Sequence, residues 1–497
     1  MRITIKNNNS DFAMYFAAKL GPALLGFLNV YLIAKSLTPE NYGKYSLAIT
    51  LILLVNQVFG SWLTQALFFF LPKCAGQATG MASWFGQINF LVAVVGSLIV
   101  TGLLPLFEID VKMAFVGGAV FFAQTYWNYL STLYQSLERP RIQLIATICQ
   151  VSLQILVIFS LYFFNAISAS SALFTVFIGF AAGLVFFQKK SESGRATVDF
   201  SGIQTKNFLR YTKLAFFYGG PFSLWFLFSQ IFTYSDRFLL SWAGLAHEVG
   251  KYSATRDLLL GSASIFAMPL LMVAHPMIMR VWAERKDAAE IGQIIQNNLT
   301  KIFVVGTFFC LMLYLYGAPT LSMFLPAKYQ LQNYEYAMIG AAIFFSVASM
   351  YAHKALEVTG GTMKMAALGG GVALFSLLAN AVVIRGFGLT AVILIGLLSQ
   401  MIYYFGAAYL SRKLWKVHVS MKRIITTILA AAVVWTICWL IDFNYPHSIS
   451  TMLPLPWGLL AGVIISLMAI LSFPEINSMF YSRTTATGIG SDCREGL

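Results

Sequence analysis

Apolar residues run for about twenty positions at a time along nearly the whole chain, separated by short polar breaks. A helix rises about 1.5 Å per residue, so roughly 20 such residues cross ~30 Å of hydrocarbon. On that length fourteen membrane helices are predicted, over 11–34, 45–71, 84–106, 113–137, 142–164, 167–188, 214–241, 252–279, 302–325, 336–356, 365–384, 389–410, 424–441 and 455–473. Strands of a membrane barrel would alternate in polarity over about ten residues, and these runs do not. The expected fold class is an all-α polytopic membrane protein.

Composition agrees. Of 497 residues, 58% are apolar and only 10% charged, against about 25% charged in soluble domains. The net charge of +14 is absorbed by topology. With the N-terminus inside, 24 of the 33 Lys and Arg fall in inner segments and six in outer loops, the bias expected of cytoplasmic loops. Both termini are therefore expected in the cytoplasm, and the excess positive charge attracts anionic lipid headgroups rather than nucleic acid. The first apolar run is too long for a signal-peptide core and reads as a retained helix. Five cysteines show neither disulfide nor metal-ligand spacing, so no metal or cofactor is expected.

The run GKYS occurs twice, at Gly43–Ser46 and Gly250–Ser253, each time opening a predicted helix after a short outer loop. The preceding helix in each case carries Gly-Pro, at Gly21-Pro22 and Gly220-Pro221. Leu137-Glu138 and Leu356-Glu357 make a second matching pair. Six predicted helices separate each copy from its partner, an even number, which gives two parallel repeats about an axis along the membrane normal. The expected organisation is a six-helix half over 1–206, a second over 207–423, an appended helix pair over 424–473 and a polar cytoplasmic tail over 474–497.

Paired bundles of this kind enclose a central pathway, which makes transport the leading class. The loops are too short to hold a soluble catalytic domain, and no GxxxxGK[ST] phosphate loop is present. GFGLTA at 386–391 fits a loose dinucleotide pattern, but it lies between two membrane helices without the βαβ unit that chemistry needs. It reads as a loop.

Charges inside the predicted spans cost about 3 kcal/mol each on insertion scales, so they face water or find partners. Lys19 lies in the first span, Asp236-Arg237 near the outer end of the seventh and Arg256-Asp257 near the outer start of the eighth. The last four lie at similar depth on a hairpin, and two readings stay open: Asp236 with Arg256 and Arg237 with Asp257 pair to tie the hairpin, or the cations line a cavity. Pro22 and Pro221 each remove a backbone hydrogen bond and suit hinges of a rocking gate. Lys354 and Glu357 have the i, i+3 spacing of a surface ion pair, and His275 is a residue that can titrate in a proton-coupled cycle. The segment 281–299 reads as an interfacial inner helix.

The stretches AKSLTPENYGKYSLAITLILLVNQ and YSDRFLLSWAGLAHEVGKYSATRDLLLG resemble the polysaccharide-exporter group of the multidrug/oligosaccharidyl-lipid/polysaccharide (MOP) flippase superfamily, and in particular the Wzx-type O-antigen flippases. The resemblance covers at least residues 11–410. It implies a fold like that of MATE transporters and translocation of an undecaprenyl-pyrophosphate-linked oligosaccharide across the bacterial cytoplasmic membrane, by alternating access coupled to an ion gradient. The expected partners are that lipid-linked sugar, membrane lipid and other polysaccharide assembly proteins. Lys19, Arg237 and Arg256 are then candidates to bind phosphate or acidic sugars, and Asp236, Asp257 and Glu357 candidates for ion coupling. Two alternatives remain: a multidrug exporter of the same superfamily, which would favour acidic cavity residues, and a membrane glycan polymerase, which would favour long outer loops.

Overall fold

The computed structural model describes residues 25–71, 78–137, 139–191 and 205–417, with scattered positions outside these ranges. Lys19, Pro22 and Glu138 lie outside the described residues, as do the tail and, apart from isolated positions, the predicted pair over 424–473. Every regular element among the described residues is helical.

The first helix described, α1, spans Leu25–Ser36. α2 (Pro39–Phe59) starts at a Thr38 cap with proline at its first position, where the missing N–H costs nothing. α3 (Ser61–Phe70) follows directly after Gly60, so the predicted span 45–71 is two successive helical segments. Next come α4 (Ala78–Leu103) and, beyond a short 3-10 turn, α5 (Val111–Ser136). α6 (Pro140–Phe163), α7 (Ala169–Ser191), α8 (Thr205–Trp242) and α9 (Ala246–Glu284) continue the series. Pro221 lies inside the unbroken α8.

The segment 281–299 departs from expectation. It is not a separate interfacial helix. α9 runs on to Glu284, Lys286 takes a positive φ of 51°, and Asp287 caps a new helix, α10 (Ala288–Ser322), by accepting from the amides of Ala289 and Glu290. Ile291, Ile295 and Leu299 recur at helical spacing and are fully buried, so the charges that interrupt the apolar pattern belong to a turn and a helix start.

α11 (Asn333–Ala352) ends at His353, and the single-turn α12 (Lys354–Val358) follows. α13 (Thr362–Ser411) contains Gly388 at φ 61°, ψ −149°, a conformation open essentially to glycine alone. The chain folds back there: a Cβ on Gly406 would meet Leu368 at 2.7 Å, so the two arms pack side by side, as the predicted pair 365–384 and 389–410 requires.

Seven helices among the described residues are long and apolar enough to cross a membrane. Burial sorts them. The apolar window of α2 is 56% buried, while those of α4 and α13 are each 22% buried, and Leu98, Phe115, Leu378 and Val382 turn outward. With no water to drive burial there, these outward side chains meet lipid. α4 packs on α5 and α6 on α7; later in the chain α10 packs on α11 and α11 on α13. α2 crosses α9, and α3 runs along α8. These two contacts position everything that follows.

Candidate functional site

The two GKYS copies meet. A Cβ built on Gly250 would stand 1.7 Å from the carbonyl oxygen of Pro39, and one on Gly43 would stand 3.0 Å from that of Ala246 and 3.2 Å from the Gly250 nitrogen. α2 and α9 thus touch backbone to backbone, the close approach that small residues permit between membrane helices. α3 and α8 do the same further on, where a Cβ on Gly219 would lie 2.1 Å from the carbonyl oxygen of Trp62. Ser61 and Ser223 join hydroxyls at 2.6 Å across that seam.

Directly below the GKYS crossing, the four predicted charges come together. The Arg237 guanidinium bonds Asp257 at 2.5 Å and reaches across to α2, donating to Ser46 at 2.5 Å and Thr50 at 3.2 Å. Tyr42 of α2 donates to Asp257. Arg256 lies 3.5 Å from Asp236, which also accepts from Tyr252. Both guanidinium groups lie against the ring of Tyr234, at 5.1 and 4.7 Å. Asp236, Arg237 and Arg256 are all buried. Two cations and two anions cancel, which is what makes their removal from water tolerable. Tyr329 closes the same end by donating to the Leu37 carbonyl at 2.9 Å. The pairing reading of the hairpin and its engagement with α2 therefore coexist: in this conformation both arginines are committed to carboxylates.

Glu357 does not join them. Arg256 and His275 are 19 residues apart on α9, about 28 Å at ~1.5 Å per residue. His275 belongs to a different place, a cavity of about 430 Å³. One wall is α3 and α5, contributing Thr64, Gln65, Thr132 and Gln135; the other is α8, α9, α12 and their neighbours, contributing Phe222, Trp225, Phe226, His275, His353, Lys354 and Glu357.

Lys354 and Glu357 form the predicted pair at 2.5 Å, but it is not a surface pair: Lys354 is only 5% exposed. The ammonium also donates to Nδ1 of His275 at 2.8 Å, which requires that nitrogen to be unprotonated. Beside it, Trp225 donates to the Tyr403 hydroxyl at 2.7 Å, and that hydroxyl lies 3.4 Å from Nδ1 of His353. The sequence pattern did not point to Trp225, His353, Gln65 or Gln135. The one available signal was His353-Lys354 placed immediately at the end of α11, with an acid one turn on.

The described residues thus form a bundle of long apolar helices with a buried, charge-balanced cluster at one end and an amphipathic cavity about 28 Å away along α9. The chain belongs to the polysaccharide biosynthesis protein family, whose model matches residues 10–282. Its fold is like that of two groups of solved structures, a lipid II flippase and MATE family transporters. A lipid II flippase, MurJ, in an inward closed conformation aligns over 95% of this chain and 99% of its own, with 14% identity and a TM-score of 0.70. An inward-facing MATE family multidrug transporter aligns over 79% and 95%, with 12% identity and a TM-score of 0.63. A mutant form of the Vibrio cholerae MATE transporter VcmN aligns over 81% and 95%, with 15% identity and a TM-score of 0.55. A search of curated protein sequences gives no match.

Proposed function

We propose that the protein is a flippase for a lipid-linked oligosaccharide, carrying an undecaprenyl-pyrophosphate-linked repeat unit of a surface polysaccharide such as O-antigen from the cytoplasmic to the outer leaflet of the bacterial cytoplasmic membrane. The observation that carries this reading is the cavity. Amide and hydroxyl groups from one wall face aromatic rings from the other, the combination that holds a sugar's hydroxyls and its apolar faces, and the Lys354 ammonium, paired with Glu357, stands among them for a phosphate.

The two halves, 1–206 and 207–423, act as rocking bodies. In support, the duplicated GKYS glycines contact each other at the α2 and α9 crossing, and a duplicated feature meets its own copy only near the axis that relates the halves. On the charge-derived orientation, the Asp236, Arg237, Arg256 and Asp257 cluster closes the outer end while the cavity lies toward the cytoplasm. The arginines are then available to the cargo's phosphate only when the outer end opens, and Asp236 and Asp257 with them as ion-coupling groups. Lys19, Pro22 and Pro221 keep their proposed roles as anion ligand and hinges.

Deleting the gene in its host tests the reading. Loss of surface glycan together with accumulation of a complete lipid-linked unit on the cytoplasmic side is expected. Normal glycan with raised sensitivity to cationic drugs would replace the flippase by a multidrug exporter, and unpolymerised units on the outer side would replace it by a polymerase.

A further inference from the structure

We infer that Lys354 is the phosphate-binding residue of the cavity, and that Glu357 occupies it as an internal stand-in until the cargo displaces it. The inference rests on the flippase reading and gives its site a specific anion ligand.

The geometry leads there in three steps. First, among the cations of the outer cluster and the cavity, Arg237 has both amino nitrogens engaged, one on Asp257 of α9 and the other on Ser46 and Thr50 of α2, and Arg256 is enclosed between Asp236 and two tyrosine rings. Lys354 is the cavity-lining cation, facing the space between α3, α5 and α8. Second, its partners are few. An ammonium has three donors, and here Glu357 and the neutral imidazole of His275 take two of them. The third is left for an incoming acceptor. Third, Glu357 is the one carboxylate and Lys354 the one lysine or arginine among the described residues that line the cavity, so an arriving phosphate competes with Glu357 for that cation. A buried cation stripped of its partner is strongly destabilised, and Glu357, one turn on along the same helix, gives Lys354 that partner. Because α12 is a single turn between the end of α11 and α13, Lys354 and Glu357 can part without unwinding a long helix.

Two substitutions therefore have opposite signs. Lys354→Gln removes the ligand; Glu357→Gln removes its competitor. The purified full-length protein in detergent micelles is titrated with farnesyl pyrophosphate, with farnesol and with inorganic pyrophosphate. Lys354→Gln is expected to weaken farnesyl pyrophosphate on the order of thirtyfold, as for losing one partner of a desolvated charge pair, with farnesol unchanged; Lys354→Arg retains binding, and Glu357→Gln tightens it several-fold. A purely structural ion pair would lose binding in both neutral variants and for all three probes. Unchanged affinity of Lys354→Gln for farnesyl pyrophosphate, or weakening in Glu357→Gln, overturns this inference and leaves the flippase reading standing. A wild-type protein that does not prefer farnesyl pyrophosphate to farnesol overturns both. Inorganic pyrophosphate bound as tightly through Lys354 supports the phosphate site while removing the lipid from it. If Lys354→Gln does not fold, the sign of the Glu357→Gln effect decides alone.

Discussion

The two glycines of the repeated GKYS are equal in sequence and unequal in structure, and this yields a quantitative prediction. At Gly250 a new methyl group would sit 1.7 Å from the Pro39 carbonyl oxygen and 2.3 Å from its carbon. Relief requires α2 and α9 to separate by about 1.5 Å, because neither obstacle is a side chain that can rotate away. Overpacking of this kind costs roughly 1–3 kcal/mol, reduced by the ~1 kcal/mol by which alanine outranks glycine in a helix. At Gly43 the nearest atoms stand at 3.0 to 3.4 Å, so shifts of a few tenths of an ångström suffice and the helix-propensity gain about cancels the crowding. Gly250→Ala is therefore expected to favour parting of the outer end, and Gly43→Ala to be close to neutral. Ser253 reports the difference: it is fully buried, and its hydroxyl has no hydrogen-bond partner. In a background lacking the five native cysteines, Ser253→Cys is labelled with N-ethylmaleimide in detergent micelles. The labelling rate should rise by up to about thirtyfold with Gly250→Ala, following the net cost of roughly 0–2 kcal/mol, and by less than about twofold with Gly43→Ala. Equal rates in the two variants, at equal monodispersity, would refute the backbone crossing as the contact that holds this end shut.

Other outcomes follow from the same geometry. Arg237→Ala leaves Asp257 without its cation and is expected to cost about 3–5 kcal/mol of stability, whereas Arg237→Met combined with Asp257→Leu should cost much less than the two single changes together; thermal unfolding in detergent measures the non-additivity. Gly388→Ala forces a side chain into the φ 61°, ψ −149° conformation and should destabilise by about 1–3 kcal/mol, lowering the unfolding temperature without altering binding in the cavity. Thr132→Trp places a bulky ring in the 430 Å³ cavity and is expected to abolish surface polysaccharide at normal expression, while Val382→Trp, on the lipid-facing side of α13, leaves it intact.

The helical class was legible because hydrocarbon allows a continuous apolar run few other forms, and Asp236, Arg237, Arg256 and Asp257 were legible as a group because a hairpin puts them at one depth. What lay outside the reach of the pattern was contact between distant segments. GKYS could be read as a repeat, but that its glycines touch depends on how α2 and α9 cross. Lys354 and Glu357 have the spacing of a surface pair, and only the approach of α9, bringing His275 from 79 positions away, turns them into a buried site. The segment 281–299 misled for a local reason: the turn at Lys286 and the Asp287 cap put charges into an apolar stretch, which resembles an interfacial helix when read without the turn. Trp225 and His353 had no distinguishing mark among many similar aromatics; their meaning comes from Tyr403, which joins them.

The central claim, that this chain moves a lipid-linked sugar across a membrane, is tested most directly by reconstitution. The purified protein is placed in vesicles with a polyprenyl-pyrophosphate oligosaccharide carrying a fluorophore on its sugar, and an impermeant quencher added outside reports how much cargo reaches the outer leaflet. Wild-type protein should make nearly all of the fluorophore quenchable, faster than vesicles holding the cavity-blocked Thr132→Trp variant. Quenching no deeper or faster than in protein-free vesicles, with a verified cargo and correctly folded protein, would contradict the account.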